Sequence, residues 1–399
     1  MEFRFTPQQD AFRTEVRGFL KEALPAGWVG SDSPIDEESF AYGRQFLKKL
    51  APKRWIAPSW PQEYGGAGLT LWEQVVYNEE MAYHRAPVIN AAAVGYLGPT
   101  IMIYGSEEQK TQHIGGITSG EVIWCQGYSE PGSGSDLASL QTRAVQDGDD
   151  FIINGQKIWT SQAHYADWMF LLARTDPDAP KHKGISYFLL DMKSPGITVR
   201  PLINLAGTGG FNEVFFDNVR VPRAGLLGEL NRGWYMATTT LDFERSNLSV
   251  SAGMRRSLEE LVAFCAETKS NPSTSSGPGG RRLIDKTTVR HRLAELWIEV
   301  NVTRLLAYRV VTMQERGLVP NYEASIVKVF NSEGNQRLAR AGIQILGLYG
   351  QLAADSPYAR LRGRFERSYM TSVGSTIAAG TSEIQRNIIA SRGLGLPRY

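Results

Sequence analysis

RAVQDGDDFIINGQKIWTS (143–161) is the stretch where the chain changes character. Asp147-Gly148 and Asn154-Gly155 are tight-turn dipeptides that favour hairpins, because their φ > 0 conformations match the twist of the flanking strands. Short β-rich runs surround them: Phe151–Ile153, Lys157–Thr160, Trp168–Ala173, Ile185–Leu190, Ile197–Leu202 and Val214–Val221. Six short strands separated by turn residues predict a β-barrel or sandwich that closes around Pro222. Upstream, Thr6-Pro7-Gln8-Gln9 is a capping signal with proline at the first helical position. Phe12, Val16, Phe19, Leu20 and Leu24 follow at helical spacing. Glu38–Lys49 and Leu71–His84 read as amphipathic helices, and Ser106 to Gln109 is a second capping signal. Downstream, helical periodicity returns over 233–268, 283–317, 320–349 and 370–391, interrupted by the polar loop SNPSTSSGPGG (270–280). The expected fold class is α+β and multidomain, in the order α, β, α, with domains at 1–120, 121–228 and 229–399.

Length and composition set the outer limits. A chain of 399 residues is long enough for two or three domains. Lys plus Arg total 43 and Asp plus Glu 41, for a net charge of +2. That balance argues against nucleic acid as the main partner, since phosphate binding needs a basic excess. Two distant cysteines, Cys125 and Cys265, make neither a disulfide framework nor a metal site, so a reducing cytoplasm is the expected compartment. The first residues carry no signal-peptide pattern, and no run of about 18 apolar residues predicts a membrane span. The five histidines are scattered and no metal is expected. A Gly-x-Gly-x-x-Gly after a strand, a P-loop and a His-Glu-x-x-His are all missing, so any group transfer falls to a bound cofactor or a lone side chain.

Four segments could carry that chemistry. YSEPGSGSDLASLQTRA (128–144) packs hydroxyls and glycines into one loop, suited to a polar ligand or simply to a surface turn. GQKIWTSQAHYADW (155–168) puts Trp159 before two hydroxyls at a strand end; the indole could cover a planar ring or fill the core. In GSTIAAGTSEIQRNIIASRGLG (374–395), Gly380-Thr381-Ser382-Glu383 interrupts or caps a helix, and its amides could meet an anion. In TTTLDFERSNLSVSAG (238–253), Glu244 lies in an apolar helical stretch. A carboxylate drawn out of water has a raised pKa and suits proton abstraction, whereas a surface Glu would pair with Arg245 or Arg256.

Together these segments resemble the acyl-CoA dehydrogenase family over essentially the whole chain. Its YxxTEPxxGSD signature appears as YSEPGSGSD (128–136), its NGxKxWIT strand as NGQKIWTS (154–161), and its YEGTxxIQ motif as IAAGTSEIQ (377–385). The resemblance implies an N-terminal helical domain, a middle β-barrel and a C-terminal four-helix bundle, assembled as a tetramer and binding FAD. By motif, Tyr128 and Ser129 would contact the isoalloxazine, Trp159 would cover one ring face, and Ser161 would bond near N5. Ser135 would reach the pantetheine or its phosphate. Thr381 and Glu383 would lie near the pyrophosphate and ribose. Gln344 and Gly347 match the QxxGGxG stretch that meets a partner's FAD.

Two departures sharpen this. The position that carries the catalytic Glu in most members is Ala379 here, preceded by Ala378. A minority branch that includes isovaleryl-CoA dehydrogenase-like enzymes places the base in an LxxER context, and LDFER (241–245) supplies Glu244 there. Asp242 and Arg245 then match residues that contact the CoA portion, and Gly380 is a further residue expected to bind substrate. The RxxFG stretch and its following Gln are altered; Arg281 or Arg282 replaces the Arg, and Thr287 falls where the Gln is expected. The implied reaction is α,β-desaturation of an acyl-CoA with a branched, cyclic or bulky acyl group. Glu244 takes the α-proton, the flavin accepts the β-hydride, and the Ala379 N–H serves the thioester oxygen. Electrons would pass to an electron-transfer flavoprotein. A flavin-dependent oxidase or monooxygenase, or one subunit of a heterotetramer rather than a homotetramer, are the alternative readings.

Overall fold

The computed structural model describes residues 4–30, 36–207, 209–244, 250–269 and 281–397; the side chains of residues 240–244 and 250 are outside that description. The helices are α1 (Pro7–Ala23), α2 (Glu37–Leu50), α3 (Leu71–Tyr83), α4 (Gly98–Tyr104), α5 (Glu107–Thr118), α6 (Gly233–Glu244), α7 (Val250–Glu267), α8 (Thr287–Glu315), α9 (Tyr322–Leu346), α10 (Arg364–Ser375) and α11 (Ser382–Ile388). The strands are β1 (Trp124–Gly127), β2 (Arg143–Asp147), β3 (Asp150–Ser161), β4 (Trp168–Arg174), β5 (Ile185–Asp191), β6 (Ile197–Leu202), β7 (Phe211–Val221) and β8 (Leu226–Leu227). They group into two compact units. A helical unit takes Met1–Asp32, Leu71–Ala86 and Arg245–Tyr399; a sheet unit takes Ser33–Thr70 and Pro87–Glu244.

Both capping signals act as the sequence predicts. Thr6 Oγ1 accepts from Gln9 N while Gln9 Oε1 accepts from Thr6 N, and Ser106 and Gln109 repeat the exchange at α5.

In the sheet unit the strand order is β6-β7-β3-β2-β4-β5-β8, with β1 paired to β4 in parallel. β4 and β5 are covered on both faces, so they read as continuous apolar runs rather than as an alternation. Phe170, Leu172, Tyr187 and Leu189 share one core with Leu97, Ile101 and Ile117 from the helices. Met169, Leu171, Phe188 and Leu190 share a second with Phe151, Ile153, Val214 and Val219 from β3 and β7. The sheet therefore curls around that second core, as a barrel-like domain must.

Three expectations need correction. Asp147-Gly148 does turn β2 into β3, with Asp147 opposite Asp150. Asn154-Gly155 does not turn the chain: β3 runs unbroken through it, and the register against β7 shifts between Ile153 and Gly155. The dipeptide serves a bulge instead. Gly155 has φ +148°, and a Cβ there would meet Thr142 Cα at 2.7 Å. The sequence reading also missed β1, β2 and β8, which are short or polar. The helix expected over 370–391 is two helices, because Ala379 (φ +54°) and Gly380 (φ +84°) are left-handed.

In the helical unit, Leu258, Leu261, Leu293, Leu296, Leu338 and Phe365 form the core of a bundle of α7 to α10. Each such buried side chain contributes about 2 kcal/mol. α9 and α10 approach closely, since a Cβ on Gly342 would lie 2.0 Å from the Phe365 ring. Ion pairs tie the N-terminal helices into the unit. Arg13 bridges Glu79 (3.0 Å) and Glu80 (2.7 Å), and Arg85 pairs with Glu260 (2.9 Å).

Candidate active site

In the sheet unit the loop after β1 and the outer half of β3 build one cluster. Lys157 is fully buried, and its Nζ donates to Glu130 Oε1 (2.8 Å) and to the Tyr128 carbonyl (3.0 Å). Glu130 also accepts from the backbone N–H groups of Gln141 (2.6 Å) and Thr142 (2.9 Å). Burial pushes the Glu130 carboxyl up, but the Lys157 charge and these donors outweigh it and hold it below the usual range. Burial lowers the Lys157 ammonium to about 8, which still leaves it protonated at neutral pH. This buried ion pair pins the signature loop to the strand. The sequence reading assigned it no role, although a lysine within an apolar strand was a signal.

The ion pair sets the loop's backbone. The Ser129 carbonyl accepts from Ile158 N (2.9 Å), and the Tyr128 ring is buried edge-on to Phe170 and Tyr187. Ser133 Oγ donates to the carbonyls of Asp136 and Leu137 and so closes the turn. Ser135 is exposed at its tip.

Trp159 departs most from the bland reading of a core indole. The β3–β7 register shifts a second time between Lys157 and Thr160, and Trp159 takes φ +60°. A bulky residue in that region is an outlier held by its surroundings, and such strain gathers at functional sites. The bulge turns the indole outward to 57% exposure, edge-on to Phe211 (6.1 Å). Ser161 follows it, exposed, opposite Phe211 on β7.

α6 also belongs to this unit, anchored by buried Met236 and Ala237 and by the Thr239–Tyr104 hydroxyl pair (3.0 Å). It ends at Glu244. The side chains of Asp242 and Glu244, and Arg245 entirely, lie outside the described residues.

In the helical unit the turn between α10 and α11 forms a second cluster. The Ala379 carbonyl accepts from the buried Gln385 Nε2 (3.2 Å), while its N–H donates to no other backbone group among the described residues. Gly380 takes φ +84°, a conformation that favours glycine, and a Cβ there would also press on Gln385 Nε2 at 2.4 Å. Thr381 caps α11 by accepting from Ile384 N (3.2 Å). The Glu383 backbone N–H and the Thr381 hydroxyl hold the exposed Glu383 carboxyl below its usual range. Glu383 lines a polar cavity of about 350 Å³ with Glu333, Gln336, Arg337, Arg340, Thr376 and Arg386; Arg386 pairs with Glu333 (2.7 Å) and Arg337 with Glu299 (3.0 Å), so Arg340 is the guanidinium best placed to meet phosphate oxygens. Gln344 and Gly347 (φ +61°) are exposed where α9 ends. Arg282, one of the two arginines expected to reach FAD, closes its fork on Asp285 (3.0 and 3.1 Å) within its own exposed turn.

No cluster of three or more His, Cys, Asp or Glu among the described residues could hold a metal, and no described helix is long and apolar enough to cross a membrane.

Comparison with known proteins places these clusters in context. Family models match in three consecutive pieces: the acyl-CoA dehydrogenase N-terminal domain over residues 6–121, its middle domain over 125–219 and its C-terminal domain over 231–394. The chain is 36% identical to the acyl-CoA dehydrogenase IpdE1 of Mycobacterium tuberculosis over 98% of both proteins. It is 36% identical to acyl-CoA dehydrogenase FadE26 of the same organism, over 100% of this chain and 99% of the other. Among solved structures it superposes on the Tcur3481-Tcur3483 steroid ACAD with a TM-score of 0.90 at 34% identity, covering 100% of both chains. It superposes on the ChsE4-ChsE5 complex from Mycobacterium tuberculosis with a TM-score of 0.88 at 35% identity, again over 100% of both.

Proposed function

The chain belongs to the acyl-CoA dehydrogenase family of flavoprotein enzymes, with its N-terminal helical, middle sheet and C-terminal helical domains, and from that premise we propose that it desaturates the α,β bond of an acyl-CoA whose acyl group is bulky and cyclic, with Glu244 as base. The observation that carries this reading is Trp159, held outward at φ +60° beside the pinned loop 128–136. The exposed indole fits a planar ring, and Arg340 in the cavity beside Glu383 suits phosphate oxygens. Tyr128, Ser129, Trp159 and Ser161 would hold the flavin ring, and Thr381 and Glu383 the pyrophosphate and ribose. When bound, FAD would supply the acceptor for the β-hydrogen.

The chain's own residues account for the rest. Glu244 removes the α-proton, and the electrons of the broken C–H bond move toward the thioester oxygen. That oxygen needs a donor, and the Ala379 N–H is available in a left-handed turn that Gln385 holds open. One such preorganised donor is worth about 3–4 kcal/mol. The Ala379 side chain cannot serve as base, which leaves the task to Glu244. Ser135, Asp242, Arg245 and Gly380 would contact the CoA portion. Small Ala378 and Ala379 leave room for a wide acyl group, and the steroid ACAD among the structural relatives supports a polycyclic one. An electron-transfer flavoprotein would reoxidise the enzyme. Anaerobic mixing with ring-bearing and straight medium-chain acyl-CoAs tests the reading: the ring-bearing substrates should bleach the flavin faster, and the reverse order overturns it.

A second reading concerns assembly. Arg282 pairs with Asp285 in its own turn, and one structural relative is the ChsE4-ChsE5 complex. Both favour a heterotetramer in which a different chain completes the FAD site. The visible spectrum of the chain purified alone decides this: near-stoichiometric flavin supports a homotetramer, and a colourless protein that takes up flavin only with a related chain supports the heteromer.

A further inference from the structure

The helical unit holds an open-sided cavity of about 960 Å³ walled by α1, the segment that follows it, α3, α7 and α8. It shares no lining residue with the cavity beside Glu383. Its volume lies at the upper end of small-molecule sites, which run from about 300 to 1,000 Å³.

The charges around it do not cancel. Arg13, Arg17 and Lys21 enter from α1, Arg85 follows α3, Arg255 and Arg256 come from α7, and Arg304 from α8. The carboxylates that answer them are shared. Glu80 serves both Arg13 (2.7 Å) and Arg17 (2.8 Å), with His84 Nε2 at 3.6 Å. Glu260 serves Arg85 (2.9 Å), Arg256 (2.9 Å) and Arg364. Glu79 also binds Arg13 (3.0 Å), and Glu259 binds Arg255 (2.7 Å). Lys21 and Arg304 make no ion pair among the described residues. Arg304 Nε is buried without a hydrogen-bond acceptor, its guanidinium carbon 5.5 Å from the Tyr308 ring centroid. A buried charged donor left in this state is costly, and an anion in the cavity would offset that cost. The remaining wall is apolar and aromatic, including Leu20, Trp28, Trp297 and Val300. Trp297 is 44% exposed.

We infer that this cavity is a binding site for a soluble amphipathic organic anion, a ring-bearing apolar body that carries a carboxylate, sulfonate or phosphate. The acidic group meets Arg304 and Lys21, and the apolar body packs on Trp297 and Trp28. This goes beyond the desaturation reading and does not rest on it.

The probe is 1-anilinonaphthalene-8-sulfonate, titrated by fluorescence into the flavin-loaded protein with octanoyl-CoA in excess. One saturable site per chain is expected. Its affinity should fall at least tenfold in Arg304→Gln, while flavin content and turnover stay within twofold of the parent. The uncharged analogue N-phenyl-1-naphthylamine should bind at least tenfold more weakly. Lys21→Gln, at an exposed position, should lower affinity severalfold and serves in place of Arg304→Gln if that variant does not fold. The inference is overturned by absence of saturable binding, by displacement of the probe by octanoyl-CoA, by equal affinity for the uncharged amine, or by unchanged affinity in the charge variants.

Discussion

Replacing Lys157 with methionine tests how the signature loop is held. In the parent, Glu130 is about nine-tenths buried and accepts three hydrogen bonds, one from Lys157 Nζ and two from backbone N–H groups. Methionine keeps the apolar stem and removes the charge, so the carboxylate stays in the interior with its two backbone donors only. The Tyr128 carbonyl loses its Lys157 donor at the same time. Removing one partner of a buried pair costs about 3–5 kcal/mol, because the other charge is left uncompensated. At about 2–4 °C of melting temperature per kcal/mol for a domain of this size, Lys157→Met should melt at least roughly 6 °C below the parent. The double variant Lys157→Met with Glu130→Gln removes both charges, and replacing a whole buried pair is often close to neutral. It should recover most of the loss. Differential scanning fluorimetry reads the melting temperature, and absorbance reads the retained flavin, which should fall in the single variant because Tyr128 and Ser129 move with the loop. A single variant within about 2 °C of the parent, or a double variant as unstable as the single, would refute the account.

Four further outcomes are expected. Glu244→Gln should retain flavin and lose at least about 100-fold in turnover, the scale of a general base; near-parental turnover would remove Glu244 from its role. Trp159→Gly should relieve about 1–2 kcal/mol of left-handed strain and leave stability level or higher, while flavin affinity measured by equilibrium dialysis falls about tenfold. Ala379→Ile should lower melting temperature through the same left-handed backbone and abolish turnover of ring-bearing substrates, whereas Ala379→Gly should be tolerated in both assays. Glu80, beside Arg13 and Arg17, and Glu260, beside Arg85 and Arg256, are each held near 2 against 4.5, their partners outweighing burial. These are depressed acids, so their stabilisation is present above about pH 4.5 and is lost as pH falls toward 2. For Glu80, only 3% exposed, the displacement is worth about 3 kcal/mol, and urea midpoints between pH 3 and 6 should lose much of their slope in Glu80→Gln.

The parts of the fold that could be read ahead were those governed by local chemistry. Thr6–Gln9 and Ser106–Gln109 declare helix starts through their own side chains, and Asp147-Gly148 turns a hairpin through its own backbone. Asn154-Gly155 carries the same local signal and was misread, because pairing with β7 decided between turn and bulge, and β7 lies some 60 residues away in the chain. β1 and β2 escaped notice since a four-residue parallel strand and a short polar strand have no period long enough to see. The site divides in the same way. Motif order pointed to Trp159 and Ala379, but gave no sign that both take a positive φ, which no side-chain pattern reveals. Lys157 was visible as an oddity and unreadable as a partner until Glu130 came to 2.8 Å from it.

The helical unit draws on three separate stretches of chain, and α1 and α3 lie in the first two of them. During synthesis those two helices leave the ribosome early, while the α7 and α8 surfaces that pack on α3 come only after residue 245. The Arg13–Glu79–Glu80 cluster can form at once within the α1–α3 pair, but Tyr83 and Arg85 must wait for Glu259 and Glu260. A nascent chain halted near residue 244 would hold the complete sheet unit and an α1–α3 pair whose face toward α7 and α8, with Val75, is still uncovered, a natural target for chaperones and proteases.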